Sequence, residues 1–387
     1  MFDRDAIHSI LVVKLRHIGD VLLTAPLFAN LRSLFPHASI NALVYSGTEE
    51  MLTGNPAIDR VYVYDRGLKQ APLWRRVWHE AALLSKLRRA GFDLVMNLTE
   101  GDRGAIAALV SGARWRVGMD SLGTGIAGKN RIYTHIVPRV LPGLHAVEQN
   151  LEFLKALGIQ PITRRVSFHF DGADAEAVRA RLAAVGLEPG RFFQAHCTSR
   201  WMFKTMPPAT AARMLDLLME RSGLPCLLTT SPERKEREYL DEVQRHLGSR
   251  DVPVFSDLRL KQLGALTATA RFFAGVDSAP MHIAAALDVP VLGVFGPSSA
   301  QVWGPWNNEL DSNPYRLERG IQANGKHVVL QSAKDCVPCL RDGCNGSKTS
   351  DCLNFTADVF EAVIPRFLGG ILDASGFEAS EFRKRQG

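Results

Sequence analysis

The chain is expected to be an α/β protein built from two doubly wound domains facing a cleft. Three observations predict it. Apolar runs of strand length alternate with helix-length patterns along the whole sequence, which favours parallel sheets. Two junctions, one in each half, carry a strand directly into an acid and a helix: Ile10–Val13 runs into Asp20, and Phe272–Ala274 runs into Asp277 and Ser278. Finally, 387 residues are long for one domain and comfortable for two, each with its own core.

Taken in order, the first half predicts strands near 9–14, 39–44, 60–64, 93–98 and 114–118. Helices are predicted near 20–34, 73–90, 102–111 and 145–157. Gly91, Gly112 and Gly158 each follow a helical pattern, where a left-handed C-cap residue belongs. Residues 158–163 read as the start of a linker, and Asp171 is placed to cap a helix reaching Val185. The second half restarts with strands at 192–195, 225–229 and 252–254, and a last helix is predicted near 355–368. The domains are therefore set at 1–165 and 172–353, with a helix over 354–373 and a polar tail over 374–387.

Composition narrows the class. Hydrophobic residues make up 46% and charged residues 22%, as in soluble globular proteins. Asp277, His282 and Asp288 interrupt the richest apolar stretch, so no membrane span is expected. The start, Met1-Phe2-Asp3-Arg4-Asp5, is too acidic for a signal peptide, which points to the cytoplasm. A net charge of +6 favours an anionic partner, though nothing suggests nucleic acid.

The two junctions carry the chemistry. In open parallel sheets, ligands bind beyond the carboxyl ends of the strands. The first-turn N–H groups of the helix after Ser278 lack partners within the helix and suit a pyrophosphate. Asp277 and Ser278 could equally be simple caps. At the first junction Gly19 allows a tight turn, and Asp20 stands near Lys14 and Arg16.

The phrases Lys14 to Pro26, with its Gly-Asp-Val-Leu-Leu-Thr-x-Pro core, and Gly275 to Pro297 resemble the lipopolysaccharide heptosyltransferases, glycosyltransferase family 9. A third phrase, His196 to Pro207, is similar but has Met206 where the family more often has Trp. The resemblance spans roughly residues 8 to 370, and its cadence is nearest to members adding a third, branching heptose. It implies the GT-B arrangement of two Rossmann-like domains, with acceptor on the first and nucleotide sugar on the second. The last helix would cross back to the first domain.

The resemblance also assigns roles. Asp20 would be the base that takes the acceptor proton, and Lys204 would neutralise the departing diphosphate. Asp277 would hold donor-sugar hydroxyls, while the N–H groups of Ser278, Ala279 and Met281 cradle phosphate, with His282 nearby on the same helix. Ser278-Ala279 departs from the family's usual Thr-Gly. Lys14, Arg16, Arg103 and Arg116 are acceptor-side candidates. The implied donor is ADP-heptose and the implied acceptor is the inner-core glycolipid of lipopolysaccharide, met at the inner face of the inner membrane. No catalytic metal or cofactor is expected. Alternatives are a family-9 enzyme with another donor sugar, a GT-B nucleotide-sugar epimerase, or a non-catalytic nucleotide-sugar-binding module.

Two segments stand apart. Cys336, Cys339, Cys344 and Cys352 form C-x2-C-x4-C-x7-C, open to a structural zinc, to redox chemistry or to free thiols. Residues 66–90 mix Trp74, Trp78, Leu83, Leu84 and Leu87 with Arg75, Arg76, Lys86, Arg88 and Arg89. They read either as a surface helix whose Trp and Leu share a core stripe, or as a basic apolar face for an anionic membrane or glycolipid. Arg114 and Lys129 could add to that basic face.

Overall fold

The computed structural model describes residues 2–139, 143–247 and 252–372, so the tail expected over 374–387 lies outside the described residues. The chain forms two units, Met1–Phe168 and His169–Gly387.

The first unit runs β1 (Ser9–Lys14), α1 (Ile18–Leu22), α2 (Ala25–Leu34), β2 (Ser39–Tyr45), β3 (Arg60–Tyr64), α3 (Leu73–Arg89), β4 (Leu94–Asn97), α4 (Asp102–Ser111), β5 (Trp115–Met119), β6 (His135–Val137) and α5 (Ala146–Lys155). Its six strands lie in the order β3-β2-β1-β4-β5-β6, and every pairing is parallel. The order reverses between β1 and β4. That switch point is where such sheets open a crevice.

The helix expected over 20–34 is broken in two. Pro26 sits in the first turn of α2 and has no N–H to extend the ladder from α1. At the break the Val21 carbonyl accepts from both the Thr24 N–H, at 3.1 Å, and the Thr24 hydroxyl, at 2.6 Å. Asn150 of α5 ties this break to the sheet, its amide donating to the Leu23 carbonyl at 2.9 Å and its carbonyl accepting from Lys14 Nζ at 3.1 Å.

Helix α3 also departs from expectation. At about 100° per residue, Trp74 and Trp78 fall roughly opposite Leu83 and Leu87, not beside them. Leu83, Leu84 and Leu87 accordingly pack on the core with Val95, Ala105 and Ala108, while both indoles stay exposed. The single core stripe is thus corrected to a buried face and a separate outward one.

The second unit runs α6 (Gly172–Ala184), β7 (Phe193–His196), α7 (Pro208–Ser222), β8 (Cys226–Thr229), α8 (Arg234–His246), β9 (Val254–Phe255), α9 (Leu260–Thr269), β10 (Phe273–Val276), α10 (Ala279–Ala286), β11 (Val291–Phe295), α11 (Ala300–Trp303), β12 (Ile321–Asn324), β13 (His327–Gln331) and α12 (Ala357–Leu372). Asp171 caps α6 as expected, accepting from the Asp174 N–H at 2.8 Å. The strand order is β12-β13-β11-β10-β7-β8-β9, parallel except for the β12–β13 hairpin. Here the switch point lies between β7 and β10. Gly275 is required at this seam: a Cβ there would stand 2.4 Å from the carbonyl oxygen of His196. Only a residue without one lets β10 lie beside β7 at that register.

Helix α12 is the one expected to cross back to the first domain. Its buried side chains Phe360, Val363, Ile364 and Phe367 belong instead to the second unit's core. The reason is aromatic packing. Phe367 meets Phe272 edge-on at 5.4 Å between ring centres, and Phe272 stacks on Phe193 at 4.8 Å. Burying each such ring is worth about 1.5–3 kcal/mol, which holds the helix here.

Candidate functional site

In the second unit the switch point gathers Lys204, Asp277 and the start of α10. β10 ends at Val276, and the Asp277 N–H continues the sheet by donating to the Val294 carbonyl at 3.1 Å. The Asp277 side chain is buried, and its Oδ2 accepts from Lys204 Nζ at 2.6 Å. Burial alone would push this carboxyl up. The Lys204 ammonium outweighs it, with the Ser298 hydroxyl and His282 helping, and the carboxyl sits below the ordinary aspartate range. Lys204 rides on a single tight turn, Met202–Lys204, after β7. An ammonium has three donors. Asp277 takes one, and Lys204 remains partly exposed.

Neither Asp277 nor Ser278 caps α10 with its side chain. Ser278 is the N-cap residue in extended conformation, yet its hydroxyl donates backwards to the Val276 carbonyl at 3.1 Å. The capping alternative therefore fails at this junction. Ser278 and Ala279 are partly exposed, and Pro280 costs little at the first turn. Met281 and His282 are buried. The Met281 sulfur lies 3.1 Å from the position of a Cβ on Gly293, so that side chain packs on β11 and only its N–H is left for a ligand.

Sequence reasoning missed a buried polar group at the ends of β7 and β8. His196 Nδ1 stands 3.1 Å from the Thr229 hydroxyl, and Thr198 bridges His196 Nε2 at 3.3 Å and Thr230 at 3.1 Å. Burial lowers the His196 pKa to about 4, which keeps the ring neutral at neutral pH. The signal was present: both apolar strands end abruptly in hydroxyl and imidazole residues.

In the first unit the switch point gathers Lys14, Arg16, Asp20 and Glu100. The Leu15 N–H donates to the Thr99 hydroxyl at 2.8 Å, joining the segments that follow β1 and β4. Glu100 pairs with Arg16 at 3.5 Å and with Arg139 at 3.1 Å. Burial lowers the Lys14 pKa, with Asp20 and Glu100 pulling the other way. Asp20 lies in the first turn of α1 and is partly exposed, and the N-cap residue there is His17. Asp20 is thus not the cap of this helix. Glu100 was not foreseen, although Asn97-Leu98-Thr99-Glu100 after an apolar strand marked the place.

The other acceptor-side candidates are not brought together with these. Arg103 lies over the Tyr64 ring at 5.1 Å, beside the end of β3. Arg116 sits near the amino end of β5, the opposite edge of the sheet from Asp20. Its guanidinium donates to the carbonyls of Ala113 and Ile132, so it braces the strand rather than facing an acceptor. Lys129, read as part of a basic face, is buried and paired with Asp102 at 3.1 Å.

The cysteines are free: Cys336 is exposed, Cys339 and Cys344 are half-buried, and Cys352 is buried. Burial pushes the Cys352 thiol up to about 11, with Cys344, Cys339 and Cys336 near enough to add to it. Among the described residues, no three His, Cys, Asp or Glu side chains are arranged to hold a metal ion.

Comparison with known proteins converges on one family. The model of glycosyltransferase family 9 (heptosyltransferase) matches residues 80–324. Lipopolysaccharide heptosyltransferase 3 of Escherichia coli K12 is 32% identical over 336 residues, covering 84% of this chain and 94% of that one. Lipopolysaccharide heptosyltransferase 1 of Pseudomonas aeruginosa is 25% identical over 348 residues, covering 88% and 89%. Among solved structures, a family 9 glycosyltransferase from Veillonella parvula superposes with a TM-score of 0.73 at 20% identity, covering 95% of this chain and 98% of that one. The E. coli heptosyltransferase WaaC with ADP gives 0.68 at 20% identity, covering 93% and 99%. At such identities the structural likeness speaks for the fold, which is GT-B.

Proposed function

The chain belongs to glycosyltransferase family 9, the heptosyltransferases, and on that footing we propose that it moves L-glycero-D-manno-heptose from ADP-heptose to the inner core of lipopolysaccharide, with inversion at the sugar carbon. It is a heptosyltransferase of lipopolysaccharide core synthesis. Donor and acceptor are the finer reading. The observation that carries the donor is the Lys204–Asp277 pair beside the uncapped start of α10. A cation anchored by a carboxylate, with free first-turn N–H groups next to it, suits a diphosphate.

In this mechanism Asp277 is a positioning residue. It fixes Lys204, whose remaining donors meet the diphosphate as negative charge builds on it. The N–H groups of Ser278, Ala279 and Met281 share that charge. Asp20 accepts the proton of the attacking hydroxyl, with Lys14 and the Arg16–Glu100 pair shaping the field around it. The acceptor is a membrane glycolipid, so the reading sets the work of this protein at the cytoplasmic face of the inner membrane.

Cells lacking the protein should make a lipopolysaccharide core lighter by one heptose, read by mass spectrometry of the isolated core. Purified protein with ADP-heptose should restore it. A core intact in every heptose, or interconversion of free nucleotide sugar without acceptor, would overturn the assignment. Lys204 and the α10 N-terminus supply the positive potential that a divalent cation gives elsewhere. Chelator titrated into the assay should therefore leave the rate unchanged; a collapse restored by magnesium would contradict it.

A further inference from the structure

The outward face of α3 is not explained by sugar transfer. Residues 72–79 are exposed throughout, including Leu73 at 70%, Trp74 at 67%, Val77 at 60% and Trp78 at 65%. A soluble surface rarely leaves four large apolar side chains bare in two helical turns. The helix does not need them for folding, since its second half holds it to the core through Leu83, Leu84 and Leu87.

Charge accompanies this face. Residues 66–89 hold seven Lys and Arg against one acid, Glu80, and so carry an excess equal to the +6 of the whole chain. By helical spacing Arg75 and Arg89 lie on the side of Trp74 and Trp78. Both are exposed, and the Arg75 guanidinium lies over the Trp74 ring at 5.2 Å. Between this helix and the turn Gly67–Gln70, a groove of about 440 Å³ is lined by Leu68, Ala71, Trp74, Arg75, Trp78 and His79.

Indoles among cations are the composition that settles at a bilayer interface, the rings at headgroup depth and the cations on anionic phosphates. Among the described residues no helix is long and apolar enough to cross a membrane. We propose that α3, through Leu73, Trp74, Val77 and Trp78 with Arg75 and Arg89, docks this protein on the surface of an anionic phospholipid bilayer. The reading above enters only in choosing a membrane as the occupant, and vesicle binding and sugar transfer fail separately.

The test is flotation with vesicles of phosphatidylcholine alone and of phosphatidylcholine mixed with phosphatidylglycerol. The protein should float with the mixed vesicles only and leave them as salt rises. Arg75→Gln with Arg89→Gln should weaken that partition about twenty-five-fold, at about fivefold per cation near an anionic surface. Trp74→Ser with Trp78→Ser should weaken it at least as much and abolish quenching of tryptophan emission by brominated lipid. Melting temperature and turnover on a deacylated, soluble acceptor should not change. Three results would overturn the proposal: no flotation of the parent protein, variants that float as it does, or a lipid-free dimer that these substitutions dissolve.

Discussion

Replacing Asp20 by Asn is expected to lower turnover by about two to four orders of magnitude, the usual contribution of a positioned acid or base. The amide keeps the shape of the carboxylate but cannot accept the acceptor hydroxyl proton. Stability should barely move, because Asp20 caps nothing: the N-cap residue of α1 is His17, and no side chain caps the helix. Donor binding should also hold, since the donor residues belong to the other unit. Steady-state rates with saturating ADP-heptose, set beside calorimetric binding of ADP, separate these effects. Near-normal turnover would remove Asp20 from the reaction.

Lys204→Ala is expected to act on both catalysis and stability. Turnover should fall by about two to three orders of magnitude, the usual cost of losing one donor to a developing negative charge. Affinity for intact ADP-heptose should fall less, because that charge is greatest as the glycosidic bond breaks. The substitution also strands a buried carboxylate. Removing one partner of such a pair costs about 3 kcal/mol. The sign with pH follows from Asp277. In the parent protein its carboxyl lies below the ordinary range, so the pair stabilises above the unfolded carboxylate pKa and fades as pH falls through the lower folded value. Without Lys204 burial dominates, the folded pKa rises, and the variant is penalised most at neutral pH. The gap in melting temperature between parent and variant should therefore shrink on acidification. A gap constant with pH would show that Asp277 is not held by Lys204.

That coupling was not legible in the sequence. Lys204 and Asp277 were each recognisable as site residues, but 73 positions separate them, and only the adjacency of β7 and β10 brings them to 2.6 Å. The strands were legible because apolar runs such as Ile10–Val13 and Phe272–Ala274 leave a period-independent signature of full burial. The β12–β13 hairpin was passed over, although Asn324-Gly325 marked its turn, because β12 alternates buried and exposed residues within only four positions. Arg116 was misread because it falls inside the strand expected over 114–118, and only the fold shows its guanidinium turned back onto the carbonyls of Ala113 and Ile132. Glu100 and His196 were missed for a related reason. Each gains meaning from the strand beside it, and strand order is set by packing between helices far apart in the chain.

The break between α1 and α2 has a consequence for how this protein tolerates change. Asp20 rides on a five-residue helix that is joined through Leu23 and Thr24 to the ten-residue helix behind it. The carboxylate takes its position from β1 and, through Asn150, from α5. A change at Asn150, 130 positions from Asp20 in sequence, therefore reaches the segment on both sides of that carboxylate, since one side chain bonds Lys14 of β1 and the Leu23 carbonyl at the close of α1.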